Sequence, residues 1–118
     1  MLQLLLPLVV AAADKHGVAV EHMLHAVTLG PAQEFDFHQK GRLAVGADAD
    51  LVIADPSLSS EVDAANLPSR SRWSPYDKQC LRAFPQQVYL HGVLAFTDGE
   101  VVGTAKGQPL FDDKRIVS

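Results

Sequence analysis

Cysteine is nearly absent from this chain of 118 residues: Cys80 stands alone. A single thiol excludes an internal disulfide framework and suits a reducing compartment, so a cytoplasmic location is expected. Positive charge is also scarce, with 10 Lys and Arg against 14 Asp and Glu, a net charge of −4. No basic stripe is available to meet phosphates, so no nucleic-acid partner is expected. Long apolar runs are missing too. The apolar start, Met1–Ala13, is shorter than the roughly 20 residues that span a bilayer, so no membrane partner is expected. It lacks a basic flank and carries Pro7, unlike a secretory leader. There is no internal repeat and no low-complexity tract. Glycines Gly41, Gly46 and Gly103 form neither GxGxxG nor GxxxxGK, so no phosphate cradle is encoded.

What remains is ordinary globular material. The chain is 47% hydrophobic and 20% charged, values that argue against disorder. The stretch around which the rest is organised is Gly41–Pro56, GRLAVGADADLVIADP. Leu51, Val52, Ile53 and Ala54 are too few for a stable helix. They read as a buried strand, reached through a turn at Gly46–Asp48 and ended at Pro56.

Before this stretch the pattern is helical. Leu2–Lys15 is apolar at nearly every position and predicts a helix buried on most sides. Pro7 begins or kinks it, and Gly17 is placed as its C-terminal cap. Ala19–Leu29 predicts a second helix, stopped by Gly30-Pro31. Pro31 then opens one further helical turn. After Lys40 the pattern turns to strands. Ser57–Ser60 reads as a polar loop, Glu61–Asp63 as a short strand, Asp63–Leu67 as a turn, and Ser69–Tyr76 as irregular. Val88–His91 and Val93–Phe96 read as strands around Gly92. Asp98-Gly99 predicts a tight hairpin returning through Val101-Val102. Helices first and strands second make an α+β chain.

Several side chains invite a chemical reading. His22 and His25 share a helix face, but their spacing is not the i, i+4 pair of a zincin helix, and no cysteine lies nearby. Packing or solvent-facing histidines fit better. Asp48, Asp50 and Asp55 lack the glycine and closing glutamate of a calcium loop. They read as side-chain-to-backbone bonds at strand ends. Cys80 has Lys78 and Arg82 beside it, which favour a thiolate, yet no histidine base is close in sequence. Ser69, Ser71 and Ser74, interleaved with Arg70 and Arg72, read as a hydrogen-bonded loop rather than an anion site. No catalytic, cofactor-binding or metal-binding residue is assigned in this chain.

The run Lys40–Ile53 resembles the C-terminal part of the amidohydrolase superfamily. In particular it resembles the cyclic amide hydrolases: dihydroorotase, allantoinase and hydantoinase. Leu6-Pro7-Leu8 is similar to the Leu-Pro-Leu opening of the last barrel helix. Pro31-Ala32 is similar to an Asn-Pro-Ala signature, with Gly30 in place of the asparagine. Ser69–Tyr76 followed by Val88–Gly103 is similar to the closing loop and hairpin. The resemblance covers about residues 2–103 and implies a division: 1–38 as terminal helices of a (β/α)8 barrel, 39–103 as the C-terminal part of a small β-sandwich, and 104–118 as a tail. It also implies an absence. The family's metal ligands precede the Leu-Pro-Leu helix, so in an active parent the zinc belongs to the roughly 300 upstream residues that typical barrel size implies. None of the five histidines here corresponds to a ligand. The expected partners are the rest of the barrel and further copies of the chain. The alternative parent is a non-catalytic dihydroorotase-like scaffold for aspartate carbamoyltransferase, towards which Gln3 and Gly30-Pro31-Ala32-Gln33 lean. Leu2, Leu4, Leu5, Leu6, Leu8, Val9 and Val10 are expected to find no cover beyond the second helix or another molecule.

Overall fold

Leu4 is the side chain on which the helical half is seated. In this computed structural model, which describes residues 2–104 and 106–110, a 3-10 turn Leu2–Leu4 runs into helix α1, Leu5–His16. Pro7 lies in the first turn of α1, where a missing N–H costs no hydrogen bond. Gly17 closes the helix in the left-handed region (φ 63°), its N–H donating to the Ala13 carbonyl. Helix α2 covers Val20–Val27 and α3 covers Leu29–Glu34.

The break between α2 and α3 falls at Thr28, not at Gly30-Pro31. Pro31 has no N–H for residue 27, and its ring crowds that carbonyl. The chain therefore turns one residue later, at Thr28 (φ −126°, ψ −92°). Gly30 and Pro31 lie inside α3, so Pro31 is its third residue rather than its first.

The strands form two sheets. Strands β1 (Leu51–Ala54), β4 (Pro85–Leu90), β5 (Val93–Thr97) and β6 (Glu100–Val101) make an antiparallel sheet in the order β1-β4-β5-β6. Leu51 faces Tyr89 and Ala54 faces Pro85 across the first pair. Both expected turns are present, at His91-Gly92 and Asp98-Gly99, with positive φ at all four residues. Strands β2 (Ser59–Glu61) and β3 (Cys80–Arg82) form a separate antiparallel pair. The polar Ser59-Ser60 is thus strand rather than loop, and β3 was not anticipated. The turn after Val62 is a 3-10 helix at Ala64–Asn66, capped by Asp63.

Two expectations about burial are corrected. Helix α1 is covered by α2 on one side and by β3 on another. At its start Leu4, from the preceding 3-10 turn, clusters with Val62 and with Leu81 of β3, flanked by Leu8, Ala11, Leu67, Tyr76 and Phe84. Val9, Val10 and Ala13 are buried as well, whereas Leu5 remains 49% exposed. Conversely β1 is not buried, with Val52 at 54% and Ile53 at 47% exposure. Among the described residues no helix packs broadly on the four-stranded sheet, so neither face of β1 meets a helical layer there. Of the expected tail 104–118, residues 105 and 111–118 lie outside the described residues. No described helix is long and apolar enough to cross a membrane.

Candidate functional site

The densest charge network among the described residues forms where the helical half hands over to the first sheet. Behind α3 the chain folds back on itself: the Phe37 N–H donates to the Ala32 carbonyl and the Lys40 N–H to Phe37. Gly41 (φ 77°) passes so close to α3 that a Cβ there would lie 2.7 Å from the Thr28 carbonyl oxygen. Only glycine accepts both that angle and that approach. Lys40 is thereby held beside the strand opening.

The Lys40 Nζ lies 2.9 Å from Asp48 Oδ2 and 2.5 Å from Asp50 Oδ2. The other Asp50 oxygen, Oδ1, accepts from the His91 N–H at 2.9 Å. The Gly92 N–H donates to the Ala49 carbonyl at 2.9 Å, and the Asp48 N–H to Gln39. Partial burial pushes the Asp50 carboxyl up, but the Lys40 ammonium and the His91 N–H outweigh it and hold it below the usual range. The carboxylates of Asp50 and then Asp48 push the Lys40 ammonium up.

Asp48, Asp50 and His91 each present a ligand atom within 4.8 Å of the others. That donor set does not fit the zinc of an amidohydrolase. The cation position between the carboxylates already holds the Lys40 ammonium, which a metal would have to displace from both. The network can clamp backbone; it contains no nucleophile with an aligned base.

The remaining candidates are placed as follows. Asp55 makes the expected local turn, Oδ1 accepting from the Ser57 N–H at 2.8 Å and its hydroxyl at 2.6 Å. These bonds hold its carboxyl below the usual range. Asp50, by contrast, bonds 41 residues away, not to a neighbouring turn. His22 and His25 are exposed on α2, outside the Asp48–Asp50–His91 group. Cys80 is exposed, and its basic neighbours are engaged elsewhere. Lys78 lies 3.7 Å from Glu61, and Arg82 forms a two-pronged bond to Asp14 at 2.7 and 2.8 Å. The Arg82 fork holds the Asp14 carboxyl low. Ser69 and Ser71 share a hydrogen bond, and buried Ser74 accepts from the Tyr76 N–H, as expected of a bonded loop. Lys40 and His91 were missed as members of a network. The one sequence signal was the Lys-Gly step before the aspartates.

The fold of this α+β unit recurs in solved hydantoinase structures. L-hydantoinase (dihydropyrimidinase) from Arthrobacter aurescens superposes with a TM-score of 0.71 at 32% identity, over 77% of this chain and 20% of that one. D-hydantoinase from Thermus sp. superposes at 0.76 and 26% identity, over 84% and 22%. In sequence, the chain is 31% identical to a dihydroorotase from Halobacterium salinarum over 87% of its length and 24% of the relative. It is 35% identical to an allantoinase from Deinococcus radiodurans over 81% and 21%. Residues 9–100 match the amidohydrolase family. The chain belongs to the amidohydrolase family. It spans between a fifth and a quarter of the length of the curated relatives it matches.

Proposed function

We propose that this chain is the C-terminal segment of a dihydroorotase-like cyclic amide hydrolase of pyrimidine biosynthesis, and that it carries no catalytic centre. The family match over residues 9–100, shared with relatives named dihydroorotase and allantoinase, carries this reading. Helices α1–α3 would close the barrel, and the strands would complete the small β-sandwich. The Lys40-filled aspartate pair supports the second half of the proposal: no zinc site belongs to this chain, and hydrolysis falls to residues elsewhere in the parent. The chain's own work is then buttressing. Leu4 seats the start of the helical half on Val62 and Leu81, while Leu5, Val52 and Ile53 offer apolar surface to the barrel or to further copies.

A second reading, a non-catalytic scaffold for aspartate carbamoyltransferase, rests on Gln3 and on Gly30 before Pro31. One assay separates the two. The full-length zinc-loaded parent is expected to hydrolyse dihydroorotate, and the 118-residue chain to hydrolyse dihydroorotate, allantoin and hydantoin not at all. Hydrolysis by the short chain overturns the proposal. An inert parent that co-elutes with aspartate carbamoyltransferase replaces it with the second reading.

A further inference from the structure

Among the described residues three chain segments join the four-stranded sheet to the other helices and strands, and two of them leave from the same end. Strand β1 exits at Ala54 towards β2, and β4 begins at Pro85 just after β3. Ala54 and Pro85 are paired across the sheet, so both connectors emerge side by side. They lead to the β2–β3 pair, which is packed on α1. The Ala83 N–H bonds the Leu58 carbonyl between them. This end has the form of a hinge.

The third segment, Gly41–Ala49, reaches the opposite end of β1. No core anchors its side chains, Leu43 and Val45 being 85% and 109% exposed; its base is closed by the Asp48 N–H on the Gln39 carbonyl. The Lys40 network adds a side-chain brace across the same base. Lys40 is fixed to α3 through Phe37 and Gly41, and Asp50 carries its hold to the His91 N–H at the β4–β5 turn. The strand between hinge and network is four residues, roughly 13 Å long.

We propose that Lys40, acting through Asp50 on His91, is a latch that fixes the angle of the four-stranded sheet about a hinge at Ala54 and Pro85. With the latch closed, sheet and helices move as one body. With it open, the sheet swings on its two connectors while each half keeps its own packing. Asp48 steadies Lys40 but does not touch the hairpin, so it is secondary to Asp50.

Hydrogen exchange on the 118-residue chain tests this residue by residue. Lys40→Met and Asp50→Asn are each expected to speed exchange of the His91 and Gly92 amides roughly three- to tenfold, the scale of a lost partly exposed charge network. Amides of α1 and of β2–β3 are expected to keep their wild-type rates. Asp48→Asn, which leaves Asp50 on Lys40, is expected to change His91 by less than about twofold. Unchanged exchange at His91 and Gly92 in Lys40→Met overturns the latch. So does faster exchange spread equally over α1 and β3, which marks general weakening. An Asp48→Asn effect as large as that of Asp50→Asn overturns the route through Asp50.

Discussion

Truncating Leu4 to alanine tests how the helical half is held. Leu4 is 1% exposed and clusters with Val62 and Leu81. Buried Leu→Ala changes cost about 2–5 kcal/mol. Here the ring of Leu8, Ala11, Leu67, Tyr76 and Phe84 is only partly buried, and such side chains can settle into the gap. The expected loss is therefore in the lower half, about 3 kcal/mol. A domain of 118 residues has roughly 6–18 kcal/mol in total, so the variant folds but is visibly weakened. With a slope of about 2 kcal/mol per molar urea, the unfolding midpoint falls by about 1.5 M. Leu5, its neighbour, is 49% exposed, and Leu5→Ala is expected to cost about 1 kcal/mol or less. Far-UV circular dichroism is the assay, because Trp73 is 68% exposed and reports folding poorly by fluorescence. Equal midpoints for Leu4→Ala and Leu5→Ala would refute the seating of Leu4 on Val62 and Leu81. They would restore the picture of an uncovered apolar helix.

Gly41→Ala forces a Cβ into the left-handed region and against the Thr28 carbonyl, and is expected to cost about 2 kcal/mol or more by urea unfolding. Gly46→Ala has the same kind of angle but open space, so about 1 kcal/mol is expected; the opposite order would contradict the described turn. The folded state lowers the carboxyls of Asp14, Asp50 and Asp55 from 3.8. Their contribution is complete above that value and disappears as pH falls through the lower folded values. Asp50→Asn should flatten the acid limb of the urea midpoint as pH falls below about 4, and an unchanged slope would refute its charge-assisted bonds. Zinc titrated by calorimetry into the chain should give no stoichiometric heat, since zinc would have to displace Lys40 from both carboxylates.

The sequence carried local features well and distant ones poorly. The four residues of β1 and the two tight turns, His91-Gly92 and Asp98-Gly99, were legible because each depends on residues a few positions apart. The cap at Gly17 was legible for the same reason. Strand β3 was not, since only Leu81 of its three residues is apolar and its partner β2 lies some twenty positions earlier. The exposure of Val52 and Ile53 was also hidden, because a strand's apolar run says nothing about what layer covers it. Of the charge network, the aspartates were visible but their use was not. Asp50 looks like a turn former, and nothing local shows that its carboxylate meets a backbone N–H 41 residues on.

The fork between Asp14 and Arg82 spans 68 residues of sequence. On the ribosome that separation becomes a delay. At about 5–20 residues per second, α1 emerges roughly 3 to 14 s before the strand that covers it. For that interval the face of α1 that meets β3 waits without its partner, the kind of apolar surface to which chaperones bind.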